Sequence, residues 1–347
     1  MTTRSLPAHN ESRPFERLLS MRLSITWPTA IALAIVGLAI ALRFWDLGAR
    51  ALHHDESIHA QWSWDLLRGN YRHSPIFHGP FYYHVEALVF FLFGASDYTA
   101  RVSAAIFGSA LVLLPLLLRK KLGTVGTLAA MAMLAFSPTI VYYSRFFRED
   151  IYLAFFSLLM VVSIWRYVED GTKRWLIMLA VAFTGGILTK EGGFITTAVL
   201  LVYLDLYLAA DLARQTLTGR EAWERRKIDA RAEAAGEDTS TLAYPILNTS
   251  FRRFVLTLAF APWIWAVAAL WPFLGGLRKR MDWDEDLPRV GDLLVLLGTI
   301  TLPLLTPVSR HYLLEPLGLL EKNRLSWETV LQSNVSRRDA TALIGLF

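Results

Sequence analysis

Residues 25–62 read ITWPTAIALAIVGLAIALRFWDLGARALHHDESIHAQW. The stretch over 25–44 is apolar but for Arg43 and has the length of helix needed to cross a hydrocarbon core, about 20 residues. Ten residues beyond it, Asp55 and Glu56 stand side by side among His53, His54 and His59. Ionisable groups are costly at membrane depth, so such a cluster at the edge of a span is first read as a functional site, against the plainer reading of solvated loop charge. Two further ionic runs, Arg148-Glu149-Asp150 and Lys190-Glu191, also sit at ends of apolar stretches. That recurrence favours the functional reading.

Working outward, the whole chain is apolar: 54% hydrophobic residues and 19% charged over 347 residues, with a mean hydropathy of +0.37. A soluble globular chain does not carry that balance. The expected fold class is all-α, a polytopic transmembrane helical bundle, since runs of helix-spanning length recur and the alternation of a barrel is absent. The chain has no cysteine, which excludes disulfides and thiolate metal sites. The net charge of +5 is read as loop charge that orients the spans, with no nucleic-acid partner.

The polar residues 1–24 hold Arg4, Arg13, Arg17 and Arg22. They read as a cytoplasmic tail before an uncleaved first transmembrane helix over 25–44. Residues 45–100 then form a large first extracytoplasmic loop, in which the apolar stretch 81–93 is too short to cross and reads as an interfacial helix. A transmembrane bundle is expected over 101–209. Within it 102–118 goes in to Arg119-Lys120-Lys121, 122–143 returns, 151–167 goes in, and 175–189 comes out, followed by 194–208. This places Asp55, Asp150 and Lys190 on one side of the membrane. Residues 210–251 read as a cytoplasmic loop with some helix. Residues 252–347 read as re-entrant or transmembrane segments, with a hairpin around Pro262 and Pro272. An apolar run beginning at 342–347 suggests a chain that continues.

No Walker A loop, dinucleotide fingerprint or H-E-x-x-H helix is present, and no G-x-S-x-G elbow supports a serine nucleophile. A carboxylate at the membrane edge can accept a hydroxyl proton. Asp55 is the expected base, with Glu56, about 100° away on a helix, supporting it. Residues 144–150 read either as a self-neutralising cap that anchors a span or as part of the site, with Asp150 at the reacting centre and Arg145 or Arg148 on a phosphate, whose oxygens the guanidinium fork matches. Lys190 offers a point charge for a lipid phosphate. His54, Asp55 and His59, with His78 or His84, are candidate ligands for a divalent cation, though loop histidines more often hydrogen-bond than ligate. Trp62, Trp64, Tyr82 and Tyr83 read as sugar-stacking rings or as an interfacial aromatic belt.

Taken in order, Asp55-Glu56, H-G-P-F at 78–81, F-G-x6-R at 93–101, Ser137-Pro138, Ser144-Arg145 with Asp150, and Thr189-Lys190 resemble the GT-C superfamily of membrane glycosyltransferases. The likeness is to the protein O-mannosyltransferase and aminoarabinose transferase branch, and most to a bacterial and archaeal group associated with lipid-linked sugar flipping. It covers roughly residues 25–205.

The resemblance implies an inverting transferase in the cell (inner) membrane. It would move a sugar from a polyprenyl-phosphate donor to a hydroxyl or lipid-linked acceptor at the extracytoplasmic face. Asp55 would be the base or orient the acceptor, Asp150 would support the centre, and Lys190, with Arg145, would hold the donor phosphate. Where the aminoarabinose branch has Glu-Lys, this chain has Phe77-His78-Gly79, so His78 would take part of the lysine's role with a charge that depends on pH. The alternatives are a component of a lipid-linked sugar flippase and a non-catalytic partner in a membrane protein assembly. A flippase would be expected to show repeated halves, which are not visible.

Overall fold

A computed structural model describes residues 26–72, 78–235 and 249–309, and among these every regular element is helical. The tail over 1–24, the later part of the loop expected over 210–251, and residues 310–347 lie outside the described residues. The chain divides into two compact units, Met1–Val202 and Tyr203–Phe347.

In the first unit, α1 (Trp27–Phe44) begins on Pro28, where the missing N–H matters least. It packs on α4 (Val102–Leu113) and α5 (Arg119–Phe136) through Ile35, Ala39, Val112, Met131 and Ala135. At one end of α1, Pro28 shares a groove with Arg119 and Thr124. At the other, the buried Arg43 guanidinium donates to the carbonyls of Leu134 (3.0 Å) and Ala135 (3.3 Å), the last turn of α5. Thus α5 runs alongside α1 in the same direction, and α4 runs against both. The reversal occupies the 3-10 turn Leu114–Leu118, which contains Pro115, and Gly123 with φ +67°. A proline without an N–H and a glycine free to turn left-handed break the helix there.

The short α6 (Pro138–Tyr143) leads to residues 144–149, and α7 (Asp150–Asp170) runs away from them for 21 residues. Left-handed Gly171 ends α7, and α8 (Lys173–Ile187) returns. Lys120 lies 3.7 Å from Glu169, and Lys121 stands over the Trp165 ring at 5.2 Å. The basic ends of the bundle therefore meet away from residues 144–150, as the charge pattern predicts. Between α1 and α4 lie α2 (His54–Leu67) and α3 (Phe81–Phe93), the second with the bounds expected of a surface helix.

Among the described residues, five helical stretches are long and apolar enough to cross a membrane: Trp27–Phe44, Thr99–Phe136, which contains the reversal between α4 and α5, Asp150–Asp170, Gly192–Ala235 and Ser250–Ala269. The expected span over 175–189 is not among them. Its helix, α8, has 15 residues, about 22 Å of rise against a core of about 30 Å. It packs along α7 on its way back to the ion cluster, and Gly185 leaves room there for the Phe156 ring. Past residue 208 the helix does not stop: α9 (Gly192–Ala235) has 44 residues. Its polar half is rich in good helix formers and carries pairs such as Arg220–Glu224, 3.3 Å apart at i,i+4.

The second unit contains the later part of α9 with α10 (Thr249–Phe260), α11 (Ile264–Ala269), α12 (Gly275–Met281) and α13 (Arg289–Ser309). Pro262 and Pro272 fall in 3-10 breaks on either side of α11. Trp271 and Trp283 stack with ring centroids 5.7 Å apart.

Candidate functional site

The α2 helix starts on a cap written into its sequence. The His53 ring nitrogen Nδ1 accepts from the Asp55 N–H (3.3 Å), and the Glu56 carboxylate accepts from the His53 N–H (3.0 Å), which satisfies amide donors that a helix start leaves open. The cap turns Glu56 inward and Asp55 out. Glu56 is buried, and each of its oxygens takes two donors. Oε1 accepts from Arg101 Nε (2.7 Å) and the Phe147 N–H (3.0 Å), and Oε2 accepts from Arg101 Nη2 (2.7 Å) and His53. Burial alone would raise its pKa, but Arg101 and the two amides hold the carboxyl below its usual range. Arg101 spends its remaining donors on the carbonyls of Leu47, Arg50 and Ala51. With every lone pair engaged, Glu56 ties the first loop to the bundle and has no capacity left for a reacting proton.

The second cluster supplies the centre. Glu149 is fully buried. Its Oε1 accepts from Lys190 Nζ (2.8 Å) and Arg148 Nη2 (3.2 Å) and lies 3.4 Å from His78 Nε2. Burial pushes this carboxyl up, yet the Lys190 ammonium and the adjoining charges bring it down to about 2. Lys190 is correspondingly raised: burial opposes its charge, and the Glu149 and Asp150 carboxylates outweigh burial. The cations in turn reach carboxylates nearer the surface. Lys190 Nζ donates to Asp150 Oδ1 at 3.1 Å, and Arg148 lies 3.5 Å from Asp55 and 3.7 Å from Asp150. Residues 55, 148–150 and 190, far apart in sequence, thus form one ion cluster.

The H-G-P-F segment fits against this cluster by its backbone. His78 has φ +67°, and the Gly79 and Phe81 amides donate to the carbonyls of Thr189 (3.1 Å) and Leu188 (3.0 Å). A Cβ on Gly79 would collide with the Leu188 carbonyl, so only glycine permits the approach. Pro80 then starts α3. The result presents the His78 ring between Glu149 and Glu191, with Nδ1 2.9 Å from Glu191 Oε2. Lys190 and Glu191, neighbours in sequence, face different partners: Lys190 turns to Glu149 and Asp150, Glu191 to His78.

Behind the ions lies an aromatic layer. The buried His59 Nδ1 is 3.0 Å from the Tyr83 hydroxyl and 3.2 Å from that of Tyr82, which itself donates to Tyr83 (2.7 Å). His59 Nε2 faces Glu149 Oε2 at 3.9 Å, and that oxygen has no hydrogen-bond partner among the described residues. Burial lowers the His59 pKa, holding the ring neutral. One turn along α3, Glu86 is buried, paired with the Ser103 hydroxyl, and pushed by burial up to about 8.

Of the residues singled out in the sequence, Asp55, Asp150, Arg148, Lys190 and His78 come together. Arg145 does not join them. Its guanidinium donates to the carbonyls of Leu42 (2.6 Å), Trp45 (2.7 Å) and Asp46 (3.3 Å), capping α1 with a cation where a helix end favours one. Glu56 is the structural tie described above. His54 is exposed, His59 is engaged with the tyrosines, and among the described residues no three His, Asp or Glu side chains are grouped to hold a metal ion. Sequence reasoning missed Glu149 as the hub, Arg101 as the partner of Glu56, and Glu191 as the partner of His78. Glu149 stood in plain view between Arg148 and Asp150, but three ionisable residues in a row do not reveal which one faces inward.

Residues 77–223 match the model of one protein family, described as dolichyl-phosphate-mannose-protein mannosyltransferase. No curated protein and no solved structure matches the chain. The matched stretch runs through His78, Arg148, Glu149, Asp150 and Lys190. Together with the apolar helices of a multi-pass membrane protein, this match supports the likeness that the order of motifs implied, to mannosyltransferase-like membrane glycosyltransferases of the GT-C superfamily.

Proposed function

We propose that the protein transfers a sugar from a polyprenyl-phosphate donor to a hydroxyl of a lipid-linked or other acceptor at the extracytoplasmic face, with inversion. The observation that carries this reading is the buried Glu149 holding Lys190 and Arg148 beside each other at the edge of the bundle. Of the other arginines near this end, Arg101 spends all five donors on carboxylate and carbonyl oxygens, and Arg43 and Arg145 donate to carbonyls at the ends of α1 and α5. Arg148 makes one hydrogen bond, at 3.2 Å, and its other contacts are longer. It therefore keeps donor capacity for the phosphate, and Lys190 supplies a second charge.

In the step, the acceptor hydroxyl loses its proton to the Asp55 carboxylate as its oxygen bonds to the anomeric carbon. The bond from that carbon to the phosphate oxygen breaks, and the electron pair leaves with the polyprenyl phosphate. Charge growing on that oxygen is met by Lys190 and Arg148, already in place and partly shielded from water. Asp55 is the exposed member of the D-E pair, its side chain 42% accessible and 3.5 Å from Arg148. A phosphate that draws Arg148 away frees this carboxylate to act as base. Asp150 keeps Lys190 oriented, and His78 closes the cluster on the side of Glu191.

The test supplies a radiolabelled polyprenyl-phosphate sugar to membranes containing the wild type, Asp55→Asn or Asp150→Asn. Loss of transfer with intact expression supports the enzyme. Unchanged transfer with altered lipid movement overturns it in favour of a flippase component.

A further inference from the structure

A groove of about 220 Å³ opens between α1, α4 and α5 at the end of the bundle opposite the ion cluster. Ala32, Val36, Leu113 and Leu128 form apolar walls, and Arg119 and Thr124 contribute the polar rim. The groove lies on helices long and apolar enough to span, so its occupant comes from the bilayer. Charge decides which lipid. Lys120 and Lys121 are engaged, the first with Glu169 at 3.7 Å and the second over the Trp165 ring. Arg119 is exposed. Its guanidinium donates to the Thr124 hydroxyl at 3.5 Å, across the break at Gly123. Among the described residues no carboxylate lies within ion-pair distance of it. A fork-shaped cation with uncommitted donors, set at the mouth of an apolar cleft, matches a phosphate that carries an acyl chain. A zwitterionic headgroup would bring its own ammonium against Arg119, Lys120 and Lys121.

We propose that this groove binds one anionic phospholipid of the leaflet opposite the ion cluster, its chain along α1 and its phosphate on Arg119. The site is distinct from that of the donor. From Pro28, which lines the groove, to Trp45, at the end of α1 capped by Arg145, is about 25 Å along the helix axis, so one phosphate cannot serve both.

Native mass spectrometry of the detergent-purified protein with equimolar phosphatidylglycerol and phosphatidylcholine tests this. The wild type is expected to retain phosphatidylglycerol roughly fivefold over phosphatidylcholine, the effect of one basic residue at an anionic surface. Arg119→Gln, a change at an exposed side chain, should bring the ratio to parity. Ala32→Trp should remove the bound lipid by filling the cleft, and Lys173→Gln, at the same end but outside the groove, should change nothing. Retained preference in Arg119→Gln, or equal loss in Lys173→Gln, overturns the proposal. So does displacement of phosphatidylglycerol by polyprenyl phosphate at equal concentration, which would assign the groove to the donor.

Discussion

Glu149 and Asp55 divide the labour of the cluster by burial. Asp55 reaches solvent and can exchange a proton, so Asp55→Asn should lower transfer about a hundredfold or more, the usual contribution of a positioned base, without changing expression. Glu149 is sealed in, and its worth is structural and electrostatic. Replacing it with Gln leaves Lys190 and Arg148 without their buried counter-charge, a loss of about 3 kcal/mol or more. Thermal unfolding in detergent should show this as a lower midpoint, alongside weaker donor binding. The pH dependence follows from the same charge. Because the folded carboxyl titrates near 2 against an ordinary 4.5, its stabilisation is complete above pH 4.5 and disappears as the pH falls from there towards 2. Glu86 has the opposite sign. Its folded value near 8 against 4.5 means that the protonated form is the one that fits, so stability declines as the pH rises from 4.5 through 8. Glu86→Gln, neutral and of the same shape, should abolish that decline in a midpoint-against-pH series.

At the scale of elements, the chain places its chemistry at helix starts and tight turns. The cap of α2 orients Asp55 and Glu56, the residue at the N-cap of α7 is the hub, and the turn between α8 and α9 carries Lys190. The backbone contact of Gly79 with Leu188 joins the first loop to that turn. Gly79→Ala should pull His78 away from Glu149 and lower transfer by raising KM for the donor, while circular dichroism stays that of the wild type. An unchanged KM would show that the contact does not position the site. The bounds of α1 and α3 were legible because an apolar run of fixed length between polar residues admits one reading. The extent of α9 was not. Its second half is polar, and polarity says loop or surface helix equally well until helix propensity is weighed over the whole window. The helix α8 ends at Ile187, short of the end of the span read over 175–189, because residues 188–191 form the turn that carries Lys190.

For the whole molecule, the alternation of basic and acidic turns along the sequence was enough to bring Asp55, Asp150 and Lys190 to one end, where the coordinates join them. It was not enough to choose among the arginines. Arg145 and Arg148 stand three residues apart with the same composition around them, and only packing sends one to the carbonyls of α1 and the other to Glu149. The direct test of the central claim, that these ions form one site facing away from the cytosol, exploits the absence of cysteine. Asp55→Cys, Asp150→Cys and Lys190→Cys, made singly, are treated with a membrane-impermeant maleimide in intact cells, with Lys121→Cys as the opposite-side reference. All three should label from outside while position 121 labels only after lysis. Labelling of position 150 or 190 only after lysis would contradict the account.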